Sequence, residues 1–295
     1  MKIISITGSG RTGSTLISLL LSQGSDVFNL GQFRHLAAAY HKNPPCSCGQ
    51  TLRDCAVYSQ VFADPGVAAY IQDEPGLDRR LRSFFKDAKK AKDWSDPSTL
   101  ASLRASHADM LAEITTLLDV ISRVTGNTCF VDSSKIPEMA LVFELAKPGA
   151  LYSLNLVRDP RAVAVSWHKK SPRLLRTARH IRDYAARQRR LAAWGATLGA
   201  RFHVMRYEDF AADPRPELAK AAHWAGLTLP EVFHGSHSGT LNWDRQHLFP
   251  PANEAVLAKR AVNLEVAESV SWKDDKHRRL HNLTRLLAPQ ETRSY

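Results

Sequence analysis

The sequence lacks several features that would place the protein in a membrane or on nucleic acid. No apolar run reaches the roughly 20 residues that a membrane-spanning helix needs. The first residues enter a strand-like segment, without the basic region, apolar stretch and cleavage site of a secretory signal. No dense basic tract carries the interleaved aromatic residues that are typical of nucleic-acid binding. We therefore expect a cytoplasmic protein that binds neither membranes nor nucleic acid.

Acidic residues are in deficit, with 29 Asp and Glu against 40 Lys and Arg among 295 residues. The formal charge of +11 and the isoelectric point of about 9.7 favour anionic ligands. A hydrophobic content of 44% is sufficient for a sizeable core. The length fits one large domain or two small ones, and we predict a single domain over residues 1–295.

A glycine-rich stretch at residues 8–15, called the first loop below, is the strongest functional signal. It follows a β-branched run at residues 2–7 and precedes an apolar run at residues 16–21, which predict a buried strand and a buried helix. Glycines in such a turn let backbone N–H groups point inward, and the helix N-terminus adds partial positive charge. The pattern predicts a site for a phosphate or a similar anion.

The first loop departs at one position from the Walker pattern of nucleoside triphosphatases. Gly8, Gly13 and Thr15 match that pattern. Ser14 stands where the lysine is required, and the cation lies inside the loop instead, at Arg11. A kinase or ATPase needs the lysine on its β- and γ-phosphates. The first loop is therefore predicted to bind an anion other than an ordinary triphosphate.

Strand-like runs alternate with helical patterns along the chain, at residues 2–7, 26–30, 128–132, 151–157 and 201–210. The alternation predicts an α/β fold with a five-stranded, mostly parallel sheet and helices on both faces. With the first loop, it indicates the three-layer fold of P-loop NTPases. Residues from about 31 to 127 are predicted to form a helical insertion between the second and third strands, because apolar residues recur there at helical spacing.

Polar side chains follow two of the predicted strands. Asp132 ends the third strand, as the magnesium-binding acid of an NTPase does, and Lys135 follows three residues later. Arg158 ends the fourth strand, and Ser166 lies about two helical turns further on. Arg158 and Ser166 are therefore predicted to contact one phosphate beside that helix.

Three cysteines lie close together in the predicted insertion, at Cys46, Cys48 and Cys55. They can be thiols packed in a compact turn, or zinc ligands with His35 or His41 as the fourth ligand. A disulfide is the third alternative, although it would be unusual in a reducing cytoplasm. We favour packed thiols and expect no metal site.

Other candidate residues have simpler interpretations. Cys129 lies in the third strand and is predicted to be a core residue. Glu208 and Asp209, at the end of the fifth strand, are given a structural role rather than a catalytic one. His234 and His237 fit a polar loop better than a metal site.

Together these motifs resemble those of the sulfotransferases that use 3′-phosphoadenosine 5′-phosphosulfate (PAPS). Residues 11–15 match the 5′-phosphosulfate loop of the carbohydrate and tyrosylprotein branches, and residues 158–161 with Ser166 match the 3′-phosphate motif. The cysteine cluster, the Asp-Ser-Ser-Lys run at residues 132–135 and the Arg-Tyr-Glu-Asp run at residues 206–209 are similar to features of bacterial members. The resemblance extends from residue 1 to about residue 215.

The resemblance implies a donor, a reaction and a set of site residues. The donor PAPS would be bound by Gly10, Arg11, Thr12, Gly13, Ser14, Thr15, Arg158 and Ser166. Arg11 and Lys135 would stabilise the charge that develops on the leaving phosphate, as cations do in phosphoryl transfer. The sulfuryl group would move in line to a hydroxyl or amine of a small-molecule or carbohydrate acceptor, without a metal ion.

Two positions depart from the pattern of relatives. Many relatives carry a Gly-Glu pair after the second strand, and its glutamate is the catalytic base in the tyrosylprotein branch, but here the glutamate is replaced by Gln32. His35 is then the first candidate for the base, ahead of His41 and Asp132, because a histidine pKa near 6.5 suits proton transfer at neutral pH. A later Gly-Asn-Pro-x-Arg loop of relatives corresponds to residues 241–245, which adds Arg245 to the donor-binding residues.

Two other functions are compatible with the sequence. A P-loop kinase or NTPase would turn over ATP with magnesium and would require Asp132. A non-catalytic regulator would bind the bisphosphate nucleotide and transfer nothing.

Overall fold

A five-stranded parallel sheet forms the centre of the computed structural model, which describes residues 1–73, 76–91, 93–250, 260–267 and 270–293. The strands are β1 (Lys2–Gly8), β2 (Val27–Gly31), β3 (Cys129–Lys135), β4 (Leu151–Val157), β5 (Phe202–Arg206), β6 (Ser238–Thr240) and β7 (Asn263–Glu265). The order in the main sheet is β2-β3-β1-β4-β5, with every pairing parallel. The predicted α/β fold is therefore confirmed. Strands β6 and β7 form a separate antiparallel pair.

Helices cover both faces of the main sheet. They are α1 (Ser14–Leu21), α2 (Leu36–Lys42), α3 (Tyr58–Ala63), α4 (Pro65–Ile71), α5 (Gly76–Lys90), α6 (Pro97–Ser106), α7 (Ala108–Thr125), α8 (Pro137–Ala146), α9 (Pro160–Lys170), α10 (Leu174–Leu198), α11 (Tyr207–Ala212), α12 (Pro214–Ala225), α13 (Arg278–Leu287) and α14 (Pro289–Arg293). Short 3-10 turns occur at Phe33–His35, Gly199–Arg201 and Asp275–His277. Among the described residues, no helix is both long and apolar enough to cross a bilayer.

The alternating side chains of β1 divide the core into two layers. Ile3 belongs to a buried cluster with the helices between β2 and β3 and with α8. Ile4 and Ile6 point to the other face and pack with α1 and α12. Because successive strand residues face opposite sides of a sheet, this alternation produces three layers, with the sheet in the middle.

The segment between β2 and β3 contains α2 to α7, where the sequence predicts the helical insertion. Its apolar residues, including Leu81, Phe84 and Leu117, are buried in the same cluster as Ile3. Trp94, in the break between α5 and α6, meets the ring of Trp194 edge-on at a centroid distance of 5.3 Å. The insertion is thereby packed against both α8 and α10.

The fifth strand is shorter than the sequence predicts. β5 ends at Arg206, and the residues predicted to continue the strand form α11 instead. Glu208 and Asp209 lie in the first turn of α11, where carboxylates interact favourably with the partial positive charge of a helix N-terminus. The acidic pair therefore starts a helix rather than ending a strand.

Candidate functional site

The first loop lies at the carboxyl end of β1 and leads into α1. Its backbone adopts left-handed conformations at Gly8 (φ 122°), Arg11 (φ 74°) and Gly13 (φ 89°). The Thr12 hydroxyl donates to the carbonyl of Ser9 at 2.8 Å, which closes the turn. Gly13 caps α1, so the first turn of that helix faces the loop. This is the geometry of an anion-binding helix N-terminus.

Arg11 connects the first loop to α9. Its Nε atom donates to the hydroxyl of Ser166 at 2.9 Å, and its carbonyl accepts from Nη1 of Arg158 at 2.9 Å. Arg11 itself is exposed, and the other two are half-buried. Three residues that the sequence assigns to two separate phosphate motifs are thus joined directly.

Two tyrosines and Glu208 hold Arg158 in place. The ring of Tyr207 lies 4.3 Å from the Arg158 guanidinium carbon, within the range of a cation–π interaction. The Tyr184 hydroxyl donates to the Arg158 carbonyl at 2.6 Å, and Glu208 accepts from the Asp159 backbone at 2.9 Å. Glu208 therefore has the structural role that the sequence suggested, since it fixes the turn that carries Arg158.

The first loop also packs closely on α9 and α11 through two glycines. A Cβ on Gly10 would lie 2.9 Å from the ring of Trp167, and one on Gly13 would lie 2.7 Å from the ring of Tyr207. Contacts this short would force the neighbour to shift, so glycine is required at both positions. The rings of Trp167 and His180 stack with their centroids 4.1 Å apart. This stacked pair borders the first loop on the side of α9.

Lys135 reaches the same edge of the sheet through a β-bulge. Ser5 of β1 pairs with Asp132, but Thr7 pairs with Lys135, so β3 contains one extra residue. Bulges of this kind re-aim side chains beside functional sites. Lys135 also has a φ of 70°, a conformation that is costly for a residue with a Cβ. Burial, and then the nearby Arg34, lower the pKa of Lys135 to about 8.

Both oxygens of the buried Asp132 carboxylate accept hydrogen bonds from the protein. Its Oδ2 atom accepts from the hydroxyl of Ser5 at 2.9 Å. Its Oδ1 atom accepts from the hydroxyl and the backbone N–H of Ser134 and from the N–H of Phe33. Burial raises the pKa of this carboxyl to about 6, although these hydrogen bonds oppose the shift. The carboxylate therefore organises the end of β3.

A comparison with models of protein families identifies the family of this chain. Residues 4–231 match the model of the sulfotransferase family. The chain belongs to the sulfotransferase family. A comparison with curated proteins finds no match.

Solved structures similar to this sulfotransferase are also found, at low sequence identity. The sulfotransferase domain from the olefin synthase of Synechococcus PCC 7002 is 17% identical over 98% of this chain and 94% of its own, with a TM-score of 0.48. A sulfotransferase domain from the curacin biosynthetic pathway is 15% identical over 95% and 96%, with a TM-score of 0.46. Sulfotransferase STF9 from Mycobacterium avium is 16% identical over 90% and 78%, with a TM-score of 0.44.

His35 ends the short turn that leaves β2 and is half-buried. Its pKa is lowered to about 4, first by burial and then by the charge of Arg34. The carboxylate of Asp78, in α5 of the insertion, opposes this shift and raises the pKa of His35. His35 is therefore neutral at physiological pH and can accept a proton, although it is a weaker base than an ordinary histidine. Its assignment as the base stays a prediction.

Arg34 is a further cation that the sequence analysis did not select. Its backbone N–H donates to the Ser134 hydroxyl at 3.3 Å, and its guanidinium donates to the side chain of Gln32 at 3.4 Å. Burial and then the charge of Arg187 lower its pKa, and its Nε atom is buried without a hydrogen-bond partner among the described residues. Arg34 thus adds positive charge between the first loop and the insertion.

Arg245 lies elsewhere. Its guanidinium donates to the carbonyl of Ser25, just before β2 begins, and it lines a surface cavity of about 1350 Å³ with Gln23 and Asn242. Ser25 precedes the amino end of β2, whereas the first loop follows the carboxyl end of β1. In this parallel sheet the two positions lie at opposite ends of the strands. We therefore leave Arg245 out of the donor site proposed below.

The cysteine cluster is completed by a histidine that the sequence did not indicate. The sulfur atoms of Cys46, Cys48 and Cys55 and a ring nitrogen of His247 all lie within 4.8 Å of one another. Neither His35 nor His41 belongs to this group, so both suggestions for the fourth ligand were wrong. Cys129, in contrast, is buried in the core of β3 as predicted.

Proposed function

We propose that this protein transfers a sulfuryl group from PAPS to a hydroxyl or amine of a small-molecule or carbohydrate acceptor. The observation that carries the proposal is the direct connection of Arg11, Ser166 and Arg158. A donor with a 5′-phosphosulfate and a separate 3′-phosphate needs two neighbouring anion sites. The first loop and the start of α9 offer two such sites at one edge of the sheet.

The 3′-phosphate site has hydrogen-bonding capacity to spare. A hydroxyl has one donor and two acceptor lone pairs, so Ser166 can accept from Arg11 and still donate to a phosphate oxygen. The Nε atom of Arg158 is buried and has no partner among the described residues. A phosphate oxygen would satisfy that donor, and charged hydrogen bonds of this kind contribute about 1.5–3 kcal/mol each.

The first loop would hold the 5′-phosphosulfate through its backbone N–H groups and the first turn of α1. In the transfer step the bond between sulfur and the bridging oxygen breaks, and a bond forms between sulfur and the acceptor atom. The electron pair of the broken bond stays on the phosphate oxygen. Arg11 and Lys135 would stabilise this new negative charge, which is largest in the transition state.

The acceptor would approach from the side of β2 and the insertion. Residues 32–35 leave β2 at the same edge as Lys135. As the acceptor oxygen or nitrogen attacks sulfur it loses a proton, and neutral His35 is the first candidate to take it. The positive charge of Arg34 and Lys135 would lower the pKa of a bound acceptor hydroxyl and so reduce the demand on the base.

The kinase alternative is less compatible with these contacts. Ser14 occupies the position of the catalytic lysine, and both oxygens of Asp132 are already engaged by protein donors. A P-loop kinase needs a lysine on its phosphates and an acid on magnesium. Here the lysine is absent, and the acid is already hydrogen-bonded within the protein.

The test is transfer of labelled sulfate. The protein is incubated with PAPS labelled in the sulfuryl group and with panels of phenols, alcohols, amino sugars and a metabolite extract, and labelled products are identified by mass spectrometry. We expect at least one acceptor to be sulfated by the wild-type protein and by Arg182→Ala, which alters an exposed arginine of α10, and at limiting PAPS the yield should fall at least about tenfold in Arg158→Ala. Tight binding of 3′,5′-adenosine bisphosphate without any transfer would instead favour the non-catalytic regulator.

A further inference from the structure

The cysteine cluster has the composition of a metal site and lies outside the proposed donor site. Cys46 and Cys55 are buried, whereas Cys48 and His247 are half-buried. His247 stacks on Phe28 of β2 at 6.0 Å, and β2 is an edge strand of the sheet. The first loop follows β1, two strands away. The cluster therefore needs an explanation of its own.

The separation of two cysteine sulfurs fits tetrahedral metal coordination. The Sγ atoms of Cys46 and Cys55 are 3.7 Å apart, and Nδ1 of His247 is 3.2 Å from the Cys55 sulfur. Two sulfurs bound to one zinc ion at about 2.3 Å lie about 3.8 Å apart in a tetrahedron. A disulfide would need a separation of about 2.05 Å. The sulfur atoms of Cys46 and Cys55 are thus spaced for a shared metal ion rather than for a covalent bond.

A tight hairpin presents the first two cysteines. Cys46 N–H donates to the Gln50 carbonyl at 2.8 Å, and Gly49 N–H donates to the Cys46 carbonyl at 3.0 Å. Gly49 has a φ of 97°, which favours glycine at this turn. The hairpin therefore fixes the backbone that carries Cys46 and Cys48.

His247 is fixed opposite the hairpin by three hydrogen bonds to Ser47, the residue between the two cysteines. The Ser47 hydroxyl donates to the Gln246 carbonyl at 2.6 Å and accepts from the Leu248 N–H at 2.8 Å. The Ser47 N–H donates to the Leu248 carbonyl at 2.7 Å. Both neighbours of His247 are therefore bonded to the loop that carries the cysteines, so the imidazole position is built into the fold.

We propose that Cys46, Cys48, Cys55 and His247 bind one structural zinc ion. Three thiolates and one imidazole are a common ligand set for closed, four-coordinate zinc, and they leave no position for a substrate. Each thiol loses its proton to solvent on binding. The ion links the start of the insertion, which carries the three cysteines, to the segment after Trp243, which carries His247.

The segment that carries His247 also contacts β2, on the acceptor side of the proposed site. Gln246 donates to the carbonyl of Ser22 and accepts from the amide of Asn29 in β2. A Cβ on Gly31, the last residue of β2, would lie 3.1 Å from the side chain of Leu248. The segment held by zinc therefore packs along β2 as far as Gly31, the residue before Gln32. Its role is structural, and it does not place a metal ion at the sulfuryl group.

Metal content tests the proposal. The wild-type protein, produced in zinc-supplemented medium and purified without a polyhistidine tag or chelator, is expected to contain about one zinc per chain by inductively coupled plasma mass spectrometry. Cys48→Ala and His247→Ala should lose at least about nine-tenths of the zinc. Matched controls that change the same residue types outside the cluster, Cys129→Ala and His41→Ala, should keep it. Zinc retained in Cys48→Ala and His247→Ala would overturn the assignment of the ligands.

A second measurement uses the wild-type protein alone, in case the variants do not fold. X-ray absorption at the zinc edge should show three sulfur ligands at about 2.3 Å and one nitrogen ligand at about 2.0 Å. A folded wild-type protein without zinc would overturn the proposal, whether mass spectrometry finds a Cys46–Cys55 disulfide or thiol titration finds three reactive cysteines. A zinc ion with mainly oxygen ligands would overturn it as well.

Discussion

The Nε atom of Arg11 donates a 2.9 Å hydrogen bond to the hydroxyl of Ser166. Arg11 lies in the first loop and Ser166 lies on α9, two elements that follow the neighbouring strands β1 and β4. Because the carboxyl ends of parallel strands meet at one edge of the sheet, residues 155 positions apart form one continuous surface. The proposed sites for the two ends of the donor are therefore adjacent.

The proposed 3′-phosphate site predicts a specific ranking of two variants. Arg158→Ala should weaken binding of 3′,5′-adenosine bisphosphate by about 10- to 150-fold, because a charged hydrogen bond contributes about 1.5–3 kcal/mol. Ser166→Ala should cost about fivefold, since a neutral bond contributes about 1 kcal/mol. Isothermal titration calorimetry measures both, with Arg182→Ala as the exposed control.

Neither variant should change the affinity for 5′-AMP, which has no 3′-phosphate. Equal losses for both nucleotides would place the effect of Arg158 outside the 3′-phosphate site. Unchanged affinity for the bisphosphate in both variants would place that site elsewhere.

Arg11 should act mainly on the chemical step. Its guanidinium lies in the loop that would hold the phosphosulfate, where charge appears as the bond to sulfur breaks. Arg11→Ala should therefore lower the single-turnover rate by a larger factor than it lowers PAPS affinity. Arg11→Lys should keep part of the rate, because a cation remains. Both variants keep a Cβ at the left-handed φ of 74°, so backbone strain is matched. A defect in affinity with an unchanged rate would show that Arg11 only binds.

Lys135 should make donor binding sensitive to alkaline pH. Burial, followed by Arg34, lowers its pKa to about 8 in the free protein, so it loses its charge as the pH rises through this value. The anionic donor needs the charged form, and affinity should fall up to about tenfold for each pH unit above 8. Lys135→Arg should bind equally well at pH 7 and pH 9, because a guanidinium stays charged. The same decline in Lys135→Arg would assign the titration to another group.

His35 should set an acidic limit to activity at an unusually low pH. Its pKa is lowered to about 4 by burial and by Arg34, so it is neutral and able to accept a proton at pH 6. If His35 is the base, the rate should decline only near pH 4, rather than near the ordinary value of about 6.5. His35→Asn should cost on the order of 10²–10⁴ in turnover with unchanged affinity for 3′,5′-adenosine bisphosphate, whereas His41→Asn should stay active. Full activity of His35→Asn would remove His35 from the mechanism.

Local patterns in the sequence predict much of the fold. The β-branched run of β1, the glycines of the first loop and the apolar start of α1 are contiguous, so each supports the interpretation of the next. Arg158 and Ser166 can be paired from spacing alone, because both belong to one strand–helix unit. The main error in the strands lies at Arg206, where propensity favours a longer strand but Glu208 and Asp209 start α11.

Contacts between distant segments account for what the sequence did not predict. Tyr207 and Tyr184 support Arg158 from α11 and α10, and no short motif links either residue to it. His247 meets Cys55 from 192 positions away, whereas proximity in the sequence favours His35 and His41. The low pKa of His35 depends on its burial and on Arg34, and burial cannot be measured from spacing.

Nucleotide selectivity tests the central claim most directly, since the claim is that the first loop and α9 together hold a nucleotide with a 3′-phosphate. The wild-type protein is heated with 3′,5′-adenosine bisphosphate, with 5′-AMP or with ATP and magnesium, each at the same concentration. At about 100 times its dissociation constant, the bisphosphate should add roughly 2.7 kcal/mol to the free energy of unfolding and raise the melting temperature well above the values with the other two. Stabilisation by ATP and magnesium that equals or exceeds stabilisation by the bisphosphate would contradict the account.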